Sequence, residues 1–177
     1  MNSPFQKSNR VSSGFTIVET LVAIAILMIA VAGPLVAASR SLNAALYSRD
    51  QMIGSFLAQE TMEVIKSRRS NVVNVDPANW PGGYASCTAV SPCEVSATDP
   101  SLSLQTCPVT GCVLRLGTDG FSTSGTEPGL IFYRRFYLVS RSVSPIPEYR
   151  VHVIVGWNQG KIPYELEVVS ELLSANK

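Results

Sequence analysis

Residues 14–39 read GFTIVETLVAIAILMIAVAGPLVAAS, and this stretch decides the fold of the 177-residue chain. No residue from Thr20 to Ser39 is charged. A helix of this length, rising about 1.5 Å per residue, spans the roughly 30 Å hydrocarbon layer of a membrane. Proline cannot donate to the i−4 carbonyl, so Gly33-Pro34 should kink or locally melt this helix. Alternatively, Gly33-Pro34 ends the anchor.

The residues that flank the apolar stretch show that it is a targeting segment. Lys7 and Arg10 precede it, and a basic start followed by an apolar run is typical of such signals. Secretory cleavage at Ala30-Val31-Ala32, a permanent anchor, and cleavage ahead of the run are the alternatives. The run continues to Ala38, beyond the about 7 to 15 residues of a secretory core, which disfavours the first alternative.

Glu19 is the residue that an ordinary anchor does not explain. A carboxylate at the centre of a bilayer costs about 2.5–3.5 kcal/mol, so an acid beside such a run predicts a function and a partner. A cut between Gly14 and Phe15 would expose an α-amine one helical turn ahead of Glu19. That amine has a pKa near ~8 and would neutralise Glu19 of the same or a neighbouring chain, setting subunit register.

The string Gly14-Phe15-Thr16-Ile17-Val18-Glu19, with its basic leader and apolar run, resembles the class III signal of type IV prepilins. The resemblance implies that a prepilin peptidase removes residues 1–14, that Phe15 is N-methylated, and that Glu19 acts in filament assembly. Pilin-like helices often carry a proline at the place of Pro34.

Beyond Ser39 the apolar residues lie on one side of a helix. Leu42, Leu46, Ile53, Leu57 and Val64 follow helical spacing, Ala45, Phe56 and Ile65 widen the stripe, and charged residues such as Asp50 fall largely off it. The pattern predicts one helix from about Phe15 to about Arg69, with residues 15–39 in the membrane and residues 40–70 under a folded head. Residues 71–81 should form a loop.

All four cysteines fall within residues 80–129, which are rich in Gly, Pro, Ser and Thr: Cys87, Cys93, Cys107 and Cys112. Their spacing does not fit paired zinc knuckles, and an even number outside the cytoplasm favours two disulfides. Three connectivities are open, of which we favour Cys87–Cys93 and Cys107–Cys112, because both loops are short and contain turn residues. Asp119 and Glu127 lack the spacing of a calcium loop, so we expect an exposed loop at 117–129.

The last third of the chain alternates with the period of a β-strand. Val151, Val153, Val155 and Trp157 share one face, Asn158–Lys161 forms a turn, and Tyr164–Val168 returns. Leu130–Arg141 adds a third strand, joined by Pro145–Pro147. We therefore expect an α+β pilin-like fold: a head at 71–177 with loops at 80–129 and an antiparallel sheet at 130–172. The hairpin and residues 56–63 resemble minor pilins of the pilus-modification type and minor pseudopilins of type II secretion.

The sequence favours a structural subunit over an enzyme. It has no G-x-S-x-G, phosphate-loop or H-E-x-x-H motif, and its one histidine, His152, falls within a strand, where a surface or edge position is expected. We expect no cofactor, no metal and, with a net charge of +1, no nucleic-acid partner. The resemblance implies other pilin-like subunits, a prepilin peptidase and methyltransferase, an inner-membrane assembly platform and the bilayer as partners, with the head outside the cytoplasm. A filament-tip binding module that uses loops 84–129 and an anchored protein that never assembles are the alternatives.

Overall fold

The computed structural model of the chain describes residues 14–75, 80–97, 102–118, 120–143 and 146–173. Two compact units make up the chain, Met1–Ala45 and Leu46–Lys177. One long helix is followed by an antiparallel sheet and a loop region with two disulfides, which confirms the predicted α+β class.

Helix α1 runs from Ile17 to Val75, 59 residues, and includes Pro34 without interruption. The alternative that the helix melts locally at Gly33-Pro34 is therefore wrong, whereas a kink at these residues and the end of the anchor there stay predictions. The loop expected from residue 71 was also placed too early. The first proline after the helix is Pro77, and a proline disfavours helix only at the residue directly before it, so nothing in 71–75 stops the helix.

Three long strands form an antiparallel meander: β5 (Phe132–Val143), β6 (Ile146–Gln159) and β7 (Ile162–Leu173). Phe136 lies opposite Val153, which lies opposite Val168 on the third strand. The predicted strands and hairpin are confirmed, although each strand is longer than its alternating core. Ile146 already belongs to β6, so the predicted connector at 145–147 is too long.

Four short strands lie in the region predicted to contain only loops: β1 (Cys93–Glu94), β2 (Gln105–Thr106), β3 (Cys112–Gly117) and β4 (Gly120–Ser122). Both β1 and β3 pair with β5, which extends the sheet to seven strands. A single 3₁₀ turn, Gly82–Ser86, precedes them. The loop expected at 117–129 thus contains β4; Asp119 lies outside the described residues.

The core of the second unit lies between one face of α1 and the inner face of the sheet. Leu57, Val64 and Ile65 are buried there, as predicted, together with the alternating inner residues of β5 and β6. Other assignments were wrong: Leu42, Ala45, Leu46 and Phe56 are exposed, Phe56 at 63%, whereas Asp50 is only 3% exposed. The Arg49 guanidinium lies 2.9 Å from the Asp50 carboxylate, which compensates for the burial of that charge.

Helix α1 and the sheet approach each other closely at Gly54, which lies at the centre of the buried face of the helix. A Cβ atom at this position would lie 3.0 Å from Cζ3 of Trp157, whose ring is buried against α1. Contacts this short force a neighbour to move, so only glycine leaves the indole in place. The helical face centred on Gly54 also explains why Phe56, two residues later, points away from the sheet.

A buried ionic network joins α1, β1 and β5. Arg134 is fully buried, and its Nε atom donates to both oxygens of Glu94 at 2.9 and 3.1 Å. Its Nη1 atom donates to the Leu57 carbonyl and to Glu60, each at 2.9 Å. Burial alone would lower the pKa of the Arg134 guanidinium, but Glu94 and Glu60 outweigh it and raise that pKa above its ordinary value.

Both disulfides are local, as favoured from the sequence: Cys87–Cys93 and Cys107–Cys112. The backbone N–H of Cys107 donates to the Pro92 carbonyl at 2.8 Å, so the two closed loops lie side by side. Cys93 pairs with Phe136 and Cys112 with Arg134, both on β5. Each disulfide therefore secures a short strand next to the longer one.

Candidate processing and assembly site

The candidate site lies at the start of α1, where Thr16 forms an N-cap. The Thr16 side-chain oxygen accepts a hydrogen bond from the Glu19 backbone N–H at 3.3 Å, and the Thr16 carbonyl accepts from the N–H groups of Glu19 and Thr20. These contacts satisfy donors that the first helical turn would otherwise leave unpaired. The helix begins directly after this cap, at Ile17.

The Gly14–Phe15 bond lies outside the helix, just ahead of the cap. Gly14, Phe15 and Thr16 have no regular secondary structure, and the Phe15 side chain is 79% exposed. Among the residues that the structure describes, no heavy atom outside the chain neighbours of Gly14 comes within 4 Å of a Cβ built on it. A protease can therefore approach this bond without unwinding a helix.

Glu19 has a second role that the sequence interpretation missed, because its backbone N–H completes the cap on Thr16. Residues 16–19 read T-I-V-E, the spacing of a capping box, in which a threonine at the cap is followed by an acid three positions later. The carboxylate also lies in the first turn, where the partial positive charge of the helix terminus favours it. The T-x-x-E spacing is the signal in the sequence that predicts this role.

Residues 17–46 are all exposed, and their apolar side chains lie on every side of the helix. Among the described residues, one helix is long and apolar enough to cross a membrane by length and composition. The exposed surface includes Ile17, Ile24 and Ile29, and a continuous apolar area of this size is typical of contact with lipid or protein.

Comparison with known families favours one of the alternatives at this site. Residues 9–33 match the model of the prokaryotic N-terminal methylation motif. This match supports a type IV pilin-like prepilin. The match spans the candidate cut between Gly14 and Phe15, Glu19 and the apolar run as far as Gly33. Comparison with curated proteins and with solved structures gave no significant match.

The match favours a processed pilin-like precursor over a secretory peptide or an unprocessed anchor. Methylation at an amino terminus requires that a cut first exposes it, and the residues at the candidate cut are accessible. A single apolar helix near the amino end is consistent with a membrane-anchored pilin-like protein. The matched family is one of structural subunits, and no enzyme family is indicated.

His152 lies on β6 between β5 and β7, so its strand is not at an edge of the sheet. Its ring is half-buried on the outer face, stacked on Tyr137 with ring centres 4.7 Å apart. Its Nδ1 atom lies 2.7 Å from the Glu167 carboxylate. Within the described ranges no group of three His, Cys, Asp or Glu residues could hold a metal ion.

Proposed function

We propose that this chain is a minor pilin or pseudopilin, a structural subunit of a type IV pilus-like filament. It is inserted in the inner membrane with the head outside the cytoplasm, cleaved between Gly14 and Phe15 and N-methylated at Phe15. The methylation motif at residues 9–33 carries this proposal. The accessible bond directly before the helix cap supports the position of the cut.

Assembly is proposed to proceed through the amino-terminal half of α1. The exposed apolar side chains of residues 17–46 can pack in the bilayer before assembly and against neighbouring helices afterwards. Glu19 supplies the one carboxylate of this segment, and the methylated amine of Phe15 supplies a positive charge. The prepilin peptidase, other pilin-like subunits and the assembly platform are the partners that this sequence of events requires.

Mass spectrometry of the mature amino terminus tests the proposal. We expect a chain that begins at Phe15 and carries one added methyl group on its α-amine. An intact Met1 would show an unprocessed anchor, and a chain beginning at Gly33 would show secretory cleavage. Either result would overturn the pilin-like assignment.

A further inference from the structure

A concave site of about 480 Å³ opens on the outer face of the sheet, opposite the face that packs on α1. This volume lies within the range of about 300–1,000 Å³ that is usual for small-molecule sites. The side chains that give the site its chemistry come from β5, β6, β7 and the loop closed by Cys107–Cys112. They are Thr110, Tyr133, Arg135, Asn158 and Glu165.

The floor of this site exists because residue 156 is glycine. Gly156 lies between Tyr133 and Glu165 on the neighbouring strands, and all three positions face outward. A Cβ built on Gly156 would meet its nearest atoms at 3.5 and 4.0 Å, which are ordinary contact distances, and its φ is not positive. Neither packing nor backbone conformation requires glycine here.

Glycine inside a strand carries a cost that this position does not avoid. It weakens a strand relative to a residue with a side chain, because it loses more backbone freedom on folding and packs nothing. A glycine that the fold does not need, in the central strand of the meander, leaves the space above it open. Access of another molecule to the backbone is one of the uses of glycine in strands.

The walls of the site are polar, partly aromatic and uncharged in sum. Arg135 donates to Glu165 across the sheet at 3.0 Å, so the one cation and the one anion of the site neutralise each other. Asn158 adds an amide, which both donates and accepts, and Thr110 adds a hydroxyl. Tyr133 provides an aromatic side chain beside these groups.

The Thr110 wall is held in place before any ligand arrives. Thr110 lies inside the ring closed by Cys107–Cys112, and the Gly111 N–H donates to the Pro108 carbonyl at 2.8 Å. A Cβ on Gly111 would come within 3.2 Å of the Arg134 carbonyl, so this loop lies directly on β5. Sites that are ordered in advance lose less entropy on binding.

We propose that this site binds an uncharged sugar. Hydroxyl groups of a sugar both donate and accept, which matches the guanidinium, carboxylate, amide and hydroxyl groups on the walls, while its C–H face suits the ring of Tyr133. An anionic ligand would compete with Glu165 for Arg135, and a cation would compete with Arg135 for Glu165. The site belongs to the second unit alone, so the proposal does not depend on filament assembly. The sequence analysis suggested loops 84–129 as a binding surface, and Thr110 is the residue of these loops that lines the concave site.

An array of immobilised glycans, uncharged and sialylated or sulfated, tests this proposal. The full chain is applied in a sugar-free zwitterionic detergent, because alkyl glucosides would compete, and bound protein is detected through a terminal tag. Three variants are compared with the wild type. Gly156→Val fills the floor, Tyr133→Ala removes the aromatic wall, and Tyr137→Ala removes an outward tyrosine of the same strand that does not line the site.

We expect the wild type to bind a subset of uncharged glycans. Gly156→Val and Tyr133→Ala should each weaken that binding at least about tenfold, and Tyr137→Ala should stay within about twofold. A circular dichroism spectrum close to that of the wild type shows that a variant is folded. If Gly156→Val is not folded, the comparison of glycan binding by Tyr133→Ala and Tyr137→Ala tests the proposal. Binding to no glycan, to charged glycans alone, or equally by wild type and the folded site variants would overturn the proposal.

Discussion

At the scale of single residues, the first helical turn separates two functions of Glu19. Its backbone N–H completes the cap on Thr16, and its side chain remains available for a partner. A substitution at this position therefore removes the carboxylate without removing the hydrogen bond that begins the helix. The effect of such a substitution on assembly therefore measures the contribution of the Glu19 charge.

Replacement of Glu19 should impair assembly and leave processing intact. An unpaired α-amine in an apolar environment costs several kcal/mol, so we expect Glu19→Ala and Glu19→Gln to enter filaments at least about tenfold less than the wild type. Glu19→Asp, which keeps the charge, should retain more. Immunoblots of sheared filaments measure incorporation, with the mature amino terminus checked in parallel. Unchanged incorporation of Glu19→Ala would show that assembly does not depend on this pairing.

Tyr84 is a buried residue whose hydroxyl group makes no hydrogen bond within the described part of the chain. Its ring packs on Trp80 and Phe136, while its hydroxyl has no hydrogen-bond partner among the residues that the structure describes. We expect Tyr84→Phe to be as stable as the wild type or more stable by up to about 1 kcal/mol in urea denaturation. A loss above that size would show that the hydroxyl is bonded.

The same residue predicts a response to alkaline pH. Burial raises the pKa of the Tyr84 phenol, against a smaller opposing effect of Arg68. The folded state therefore keeps this proton more tightly than the unfolded state, whose tyrosines titrate near ~10. Stability from this residue is complete below that pH and is lost as the pH rises towards the higher folded value. The free energy of unfolding of Tyr84→Phe should therefore fall less than that of the wild type as the pH rises above the pKa of an unfolded tyrosine.

At the scale of elements, Arg134 connects a strand of the sheet to the helix and to β1. Arg134→Leu would leave the buried Glu94 without its cation, which should cost about 3–5 kcal/mol of unfolding free energy. The adjacent Arg135 is a matched control, because it faces outward and pairs with the exposed Glu165. Arg135→Leu should cost about 1 kcal/mol or less.

Urea denaturation, followed by the fluorescence of the buried Trp80 and Trp157, measures both arginine variants. A similar loss for the two would show that the buried network contributes no more than an exposed ion pair. The comparison is sensitive because the substitutions are chemically identical and differ only in the face of β5 that they change.

The elements that the sequence predicted are those with enough residues to show a period. Val151, Val153 and Val155 alternate over a long strand, and the disulfide partners follow from short spacing. Strands β1 and β2 have two residues each, too few for any alternation; β1 pairs with the edge of β5, and β2 pairs with β1. Asp50 was misplaced because its burial depends on Arg49, a pairing that hydropathy does not report.

At the scale of the whole molecule, the cysteines report the side of the membrane on which the head lies. Disulfides persist in oxidising compartments and are rare in the cytoplasm. With the signal intact, we expect the membrane-inserted chain to react with maleimide-polyethylene glycol only after reduction. The same chain without residues 1–39, kept in the cytoplasm, is the control and should expose all four thiols. Free thiols in the inserted chain would place the head on the reducing side.

The two candidate sites differ in how far the sequence could predict them. The candidate processing site is contiguous, so Gly14, Phe15 and Glu19 were predicted together, whereas the cap by Thr16 was missed. The concave site combines Thr110, Arg135 and Glu165, which the sheet brings together from distant positions. Gly156 could not be assigned a role from the sequence, since its meaning depends on what its neighbours across the sheet leave uncovered.

The local disulfides also have a consequence for the order in which the head folds. The paired cysteines are separated by 6 and 5 positions, and a chain emerges from its amino end during synthesis. Both pairs can thus close before β5, β6 and β7 have emerged, and short loops close faster than the long loops of a crossed pairing. We expect the cross-links to be in place early, so that the late-arriving β5 adds to strands whose ends are already fixed.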